Sequence, residues 1–279
     1  MKVRKVLRGL LGLGLALGLV SCGSKDKPKE DMSKNAQRKD ADKEDLVVFA
    51  AASMTDVLDQ IKTSYEKQNP EVNLIFNFDS SGTLKTQIEE GANCDVFISA
   101  AQKQMNELDP ESEDFKGKAA IKGETRIDLL ENKLCLVVGE KDGSKISKFE
   151  DLATDKVKTL ALGNEDVPVG QYSEEILKNL GIYDQAMAKA SLGSNVREVA
   201  SWVSENTADA GIVYATDAKA FGLKVVAEAK GSMLENKIIY PAAILENSNN
   251  KEEAQKFLNF LLEDESGQIF EDAGFSVLR

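Results

Sequence analysis

Apolar residues follow two rhythms along this chain. Short unbroken apolar or alternating runs predict buried strands at 46–51, 72–78, 95–99, 134–139, 159–163, 210–214, 224–227 and 237–244. Between them apolar residues recur every three to four positions, which predicts helices. The first covers 54–68, with Val57, Leu58, Ile61 and Tyr65 on one face and Asn69-Pro70 as its stop. Others are expected at 84–90, 172–180, 196–206 and 252–262, the first two of these closed by Gly91 and Gly181. Residues 106–125 are charged and show no clear period. Alternating strands and helices argue an α/β fold with parallel sheets. The elements fall into two successive sets, joined near 126–132 and again near Tyr240-Pro241. If the last helix rejoins the first set, the chain crosses twice and makes a hinged, two-lobed body. Ligands of such sheets sit at the carboxyl ends of the strands.

Two of the strands end in the same way. Val47-Val48-Phe49-Ala50-Ala51-Ala52 runs into Ser53-Met54-Thr55, and Asn77-Phe78-Asp79 runs into Ser80-Ser81-Gly82-Thr83. A strand that stops at a serine opening a helix gathers a hydroxyl, backbone N–H groups and a helix N-terminus at one point. This is a way to hold an anion without a cation. A plain helix N-cap has the same signature, so the repetition matters more than either turn alone.

The first residues change the compartment rather than the fold. Lys2, Arg4, Lys5 and Arg8 precede an apolar stretch, 10–20, that ends in Leu19-Val20-Ser21-Cys22-Gly23. The stretch is too short for a comfortable membrane span, and it reads as an export signal over 1–21. The small residue before Cys22 resembles the lipobox of bacterial lipoproteins, which implies cleavage before Cys22 and diacylation of its sulfur. Residues 22–45 are almost wholly polar, and a disordered tether is expected.

Charge narrows the partners. The chain holds 35 basic and 47 acidic residues. The leader takes four basic ones and the tether seven of each sign, leaving 24 basic and 40 acidic from Leu46 onward, a net of −16. Nucleic acid is excluded as a partner. An anionic ligand would be repelled at long range, so its attraction has to be local. There is no histidine, which removes histidine-based catalysis and histidine metal sites. Cys94 and Cys135 lie in apolar runs; a disulfide is allowed in an exported protein, and buried free thiols are the expectation.

Further markers follow the first two in order: Cys94-Asp95-Val96-Phe97-Ile98-Ser99-Ala100, Asp166-Val167-Pro168-Val169-Gly170-Gln171-Tyr172, Asn195-Val196-Arg197 and Gly211-Ile212-Val213-Tyr214. With them, residues 46–279 resemble the molybdate-binding proteins of bacterial ABC importers. The resemblance implies a type II periplasmic-binding-protein (Venus-flytrap) fold. Lobe 1 is then 46–128 plus 242–279, and lobe 2 is 129–241. It implies a transported oxyanion, molybdate or tungstate, held by uncharged donors: the hydroxyls of Ser53, Ser81 and Tyr214 and the N–H groups of Val169 and Val196. It implies no cofactor, no directly ligated cation and no enzyme activity. The partners it implies are a membrane permease and, through lipid on Cys22, the outer face of the cell membrane, with the chain a monomer.

Rivals stay open at this point. Cleft size, which sequence does not show, separates molybdate from sulfate, phosphate or a small organic acid. Asp79, beside the second serine pair, would suit a ligand that still carries a proton; it is expected to point away. No Gly-x-Ser-x-Gly elbow or metal-spaced cluster suggests an enzyme, but Ser81 and Lys85 are spaced as a Ser–Lys pair. Arg197 is expected to brace the lobes or face solvent, and Trp202 to be core.

Overall fold

The structure, a computed structural model, describes residues 43–139 and 145–278. The export signal, Cys22 and tether residues 23–42 lie outside them. The last tether residues, Glu44 and Asp45, instead open the first strand, opposite Val72 and Asn73.

Two mixed sheets form the body. The first has six strands, β1 (Glu44–Ala51), β2 (Val72–Asp79), β3 (Val96–Ile98), β4 (Ile127–Asn132), β10 (Ile238–Ile244) and β11 (Ser276–Val277), in the order β11-β4-β10-β3-β1-β2. The second has five, β5 (Leu134–Val138), β6 (Leu160–Gly163), β7 (Ala190–Gly193), β8 (Ala210–Tyr214) and β9 (Lys224–Glu228), in the order β7-β6-β8-β5-β9. Within each sheet three adjacent strands are parallel, β2-β1-β3 and β7-β6-β8, and every further neighbouring pair is antiparallel. Sheet membership changes at Lys133 and again within 229–237. Those changeovers lie inside the 128/129 and 241/242 boundaries expected from sequence, because β4 and the start of β10 pair with each other in the first sheet.

The continuous apolar runs are explained by burial on both faces. On the first sheet Val48, Val96, Ile98, Ala242 and Ile244 face one core, and Phe49, Phe97, Ala243 and Leu245 face a second one. Alternate residues thus serve opposite layers. Helix α1 (Thr55–Gln68) buries Val57, Leu58, Ile61 and Tyr65, as its spacing predicts. It packs against α9 (Asp264–Ala273), and α8 (Lys251–Leu261) against β10, so the C-terminal helices close the first lobe. Cys94 and Cys135 are both free and buried. Trp202 is half-buried at the margin of the core.

Strand registers align the carboxyl ends. Ala51 is opposite Asp79 and Ala50 opposite Ile98, so β1, β2 and β3 stop together. Gly163 is opposite Gly193, and β8 runs parallel beside β6 to end at Tyr214. Each lobe therefore presents three neighbouring strand ends.

Candidate functional site

From the first lobe, β1 continues into a 3-10 turn, Ala52–Met54, that carries Ser53. β2 continues into α2 (Ser81–Glu89), whose N-cap Ser80 accepts the Thr83 N–H at 3.1 Å. Ser81 is the first helical residue and fully buried. The helix starts three residues earlier than periodicity indicates, because its first turn is Ser81-Gly82-Thr83 and has no apolar stripe. β3 continues into Ser99 and Ala100, and the Ala100 N–H donates to Ser81 Oγ at 2.9 Å.

The second lobe repeats the plan. β6 leads to α4 (Pro168–Asn179), with Pro168 at the first position, where its missing N–H is no loss. Val169 follows, and its N–H is one of the first-turn donors that a helix leaves without an intrahelical acceptor. β7 leads to α6 (Val196–Ser204). Its N-cap, Asn195, accepts the Glu198 N–H at 3.1 Å, while Glu198 takes the Ser194 N–H at 2.7 Å. Val196 is the first residue of that helix. β8 ends at Tyr214, the N-cap of α7 (Ala215–Ala220).

These six strand ends meet around one small cavity of about 10 Å³, room for about one water. Ser53, Ser81 and Ala100 line it from one lobe, and Val169, Val196 and Tyr214 from the other. All five residues singled out by the resemblance are thus brought together. No lysine or arginine is among the lining residues. Asp79, expected to point away, is among them, but one of its carboxylate oxygens accepts the Ser80 N–H at 2.7 Å.

The donors are poised. The Tyr214 hydroxyl is buried and, among the described residues, makes no hydrogen bond, although the Tyr240 hydroxyl lies close by. Burial, reinforced by Tyr240, pushes the Tyr214 phenol well above its ordinary range, so it keeps its proton. Ser81 Oγ already accepts from Ala100, which leaves its own proton to give. Lys85, the imagined partner of Ser81 in a Ser–Lys pair, is taken by Glu107 at 2.8 Å and Glu89 at 3.1 Å. Its pKa is raised: burial works to lower it, and the hydrogen bonds to the two carboxylates outweigh that. It is therefore a cation and no base.

Around the cavity the lobes touch at several points. Arg197, at the start of α6, bridges to Asp56 of α1 at 3.0 and 3.3 Å and lies over the Phe221 ring at 5.0 Å. Gln104, in α3 (Gln102–Asn106), reaches Gln171 of α4 at 3.4 Å. Gly82 approaches the Asp166 carbonyl so closely that a Cβ there would lie 2.1 Å from it. Among the described residues no group of three or more Cys, Asp or Glu is placed to hold a metal ion.

The profile of the bacterial extracellular solute-binding proteins matches residues 46–276. This chain belongs to that family. The binding protein is thus an extracytoplasmic receptor rather than an enzyme. It is 36% identical over 247 residues to the putative ABC transporter substrate-binding lipoprotein YvgL of Bacillus subtilis, covering 88% of this chain and 91% of that one. It is 37% identical over 243 residues to the molybdate-binding protein ModA of Escherichia coli, covering 85% and 91%. Among solved structures, the substrate-binding domain of a putative molybdenum ABC transporter from Clostridium difficile matches with 38% identity and a TM-score of 0.63, over 84% of this chain and 99% of that one.

Sequence reasoning missed two residues behind this site: Tyr240, whose hydroxyl bonds Ser53, and Asn132, which bonds Tyr240. Their partners lie far away along the chain, and no local pattern marks them. The Tyr-Pro step at 240–241, where the β10–β4 register shifts, was the one available signal.

Proposed function

We propose that the binding protein captures molybdate, and by the same chemistry tungstate, between its lobes and delivers it to the permease of an ABC importer. The observation that carries this is the unpartnered, buried Tyr214 hydroxyl facing a cleft lined by donors and no cation. A fully deprotonated tetrahedral dianion accepts hydrogen bonds and gives none, so it matches the serine, tyrosine and backbone N–H donors of this wall, on which Asp79 is the one carboxylate. Ser53 and Ser81 bind from the first lobe; the Val169 and Val196 N–H groups and Tyr214 bind from the second. Each bond to a charged acceptor contributes roughly 1.5–3 kcal/mol. The helix N-termini of α2, α4 and α6 add partial positive charge. The names of the Escherichia coli and Clostridium difficile relatives support the same ligand.

In this reading lobe 1 comprises residues 43–132 and 238–278 and lobe 2 residues 133–237. The chain works as a monomer, tethered to the outer face of the membrane by lipid on Cys22; the lipoprotein relative supports the anchor. Among the described residues no helix is long and apolar enough to cross a membrane.

Calorimetric titration with molybdate, tungstate, sulfate and phosphate tests the reading. Tight binding of the first two and none of the others is expected. Ser81→Ala is expected to weaken molybdate binding by about 1–3 kcal/mol, since the anion loses one bond. Silence with all four anions, or an unchanged affinity in that variant, overturns the assignment. Preference for phosphate would shift the reading to a protonated anion that uses the second oxygen of Asp79.

A further inference from the structure

Ser53 is held from behind by a chain of buried polar groups that begins at the lobe changeover. Asn132 is the last residue of β4, and its Oδ1 accepts the backbone N–H of Lys133 at 2.8 Å. That bond fixes the orientation of the amide. Its Nδ2 group must then face the other way, and it donates to Thr216 Oγ1 at 3.0 Å and to Tyr240 Oη at 3.2 Å. Tyr240 is fully buried, and its hydroxyl lies 2.9 Å from Ser53 Oγ. A phenol has one proton. Two hydroxyl oxygens lie near that proton, Ser53 Oγ and Tyr214 Oη, and Ser53 is the one in hydrogen-bond geometry, so with Asn132 donating to it Tyr240 gives its proton to Ser53. Burial pushes the Tyr240 phenol well above its ordinary range, so the proton stays on it. Ser53 therefore accepts from Tyr240, and its own proton is left for the cavity.

We infer that Asn132 and Tyr240 are positioning residues for binding: together they form a one-way relay, Asn132 to Tyr240 to Ser53, that fixes Ser53 as a donor. This rests on the oxyanion reading above. Ser81 is fixed in the same sense by a different device, the Ala100 N–H. Without the relay the Ser53 hydroxyl is a free rotor that presents lone pair or proton with equal ease. With it, an anion that needs an acceptor at Ser53 is refused, and one that accepts everywhere is favoured. The relay also ties the site to the hinge, because Asn132 ends one crossing strand and Tyr240 lies in the strand that returns, while Thr216 belongs to the opposite lobe.

A double-mutant cycle on the purified protein, titrated with molybdate, tests this. Tyr240→Phe keeps the ring packing against Tyr214 and Phe275, at 5.7 and 5.3 Å between centroids, and removes the hydroxyl alone. It is expected to weaken binding about 3–10-fold, and Ser53→Ala about 10–100-fold. Because Tyr240 acts through Ser53, the double variant should match Ser53→Ala within about twofold. Losses that multiply would assign Tyr240 a merely structural role and overturn the relay, as would an unchanged affinity in Tyr240→Phe. In Asn132→Asp one carboxylate oxygen keeps the Lys133 N–H, and the other takes the Tyr240 proton and reverses the chain. That variant should lose more affinity than Asn132→Ala, and equal losses would count against the relay. If it does not fold, the cycle decides alone. If the wild-type protein ignores molybdate, the oxyanion reading fails; if it binds and the cycle is additive, the relay alone fails.

Discussion

Asp217 is the most exposed to test of the groups behind the cleft, because it is the one buried carboxyl with neither oxygen in a hydrogen bond among the described residues. It lies in α7, 1% exposed. Burial pushes it from 3.8 up to about 7; Asp56 across the lobes adds to the shift, and Arg197 opposes it. Each tenfold change in proton affinity is about 1.4 kcal/mol, so ionising Asp217 inside the fold costs on the order of 4 kcal/mol. The sign follows from which state holds the proton. Above about pH 4 the unfolded chain has released it while the folded chain keeps it until about pH 7. The stability that Asp217 contributes is therefore greatest below pH 4, falls as pH rises from about 4 to 7, and is flat beyond. Between pH 5 and 8 the expected fall is about 2–3 kcal/mol.

The absence of histidine makes this slope readable. No other side chain with an ordinary pKa titrates between pH 5 and 8. Asp151, held down to about 2 chiefly by its hydrogen bond to Lys156, contributes a term that is lost only well below that window. Asp217→Asn removes the titration and keeps the shape. The new amide also lacks partners, which costs about 1–3 kcal/mol, but that cost does not change with pH. Urea unfolding at a series of pH values should therefore give a falling curve for the wild type and a flat one for the variant. Parallel curves would refute the reasoning, and would mean that water or a local shift already solvates the carboxylate.

Two more predictions concern the touching surfaces of the lobes. Gly82→Ala places a methyl 2.1 Å from the Asp166 carbonyl, so the closed form is blocked while each lobe keeps its core. Molybdate affinity should fall at least about tenfold with little loss of unfolding stability, since the clash is relieved by opening; calorimetry beside thermal melts checks both, and a large loss of stability would show that the lobes cannot part there. Asp56→Asn removes the partner of Arg197, and as both side chains are partly exposed the loss should be below about 1 kcal/mol of binding and should shrink further in high salt. A loss of affinity that salt does not touch would show that Asp56 acts through something other than this ion pair.

How much of this was legible depended on where each contact lies. Strands buried on both faces, such as β1 and β8, announce themselves as apolar runs whose ends fall within two residues of the observed ones. β4 does not: Ile127-Asp128-Leu129-Leu130-Glu131-Asn132 mixes buried and half-exposed positions, because it packs between β10 and the short edge strand β11. α9 was invisible because two of its three buried residues are Ser266 and Gly267, which make no apolar stripe. α7, six residues long, is too short to show a period. A backbone N–H, the role the resemblance gives Val169 and Val196, leaves no side-chain trace, and only the family motifs indicated it. Asn132 and Tyr240 meet across 108 residues of sequence, a separation that no local pattern encodes.

The division of donors between lobes bears on release as much as on capture. From Leu46 onward the protein carries a net charge of −16, so it repels a dianion until the two are close. In the proposed reading neither lobe brings a cation to the cavity. A cation on one lobe would hold the anion even with the cleft open, since its attraction needs no second wall. Neutral donors act over a hydrogen-bond length, and half of them are withdrawn the moment the lobes part. At roughly 1.5–3 kcal/mol for each bond to a charged acceptor, losing the two from Ser53 and Ser81, or the three from Val169, Val196 and Tyr214, lowers affinity by several orders of magnitude. Water then replaces the missing wall, and the acidic surface drives the freed anion away. A permease that opens the cleft would thus empty it without competing for the ligand. A site whose donors are uncharged makes affinity a property of closure itself.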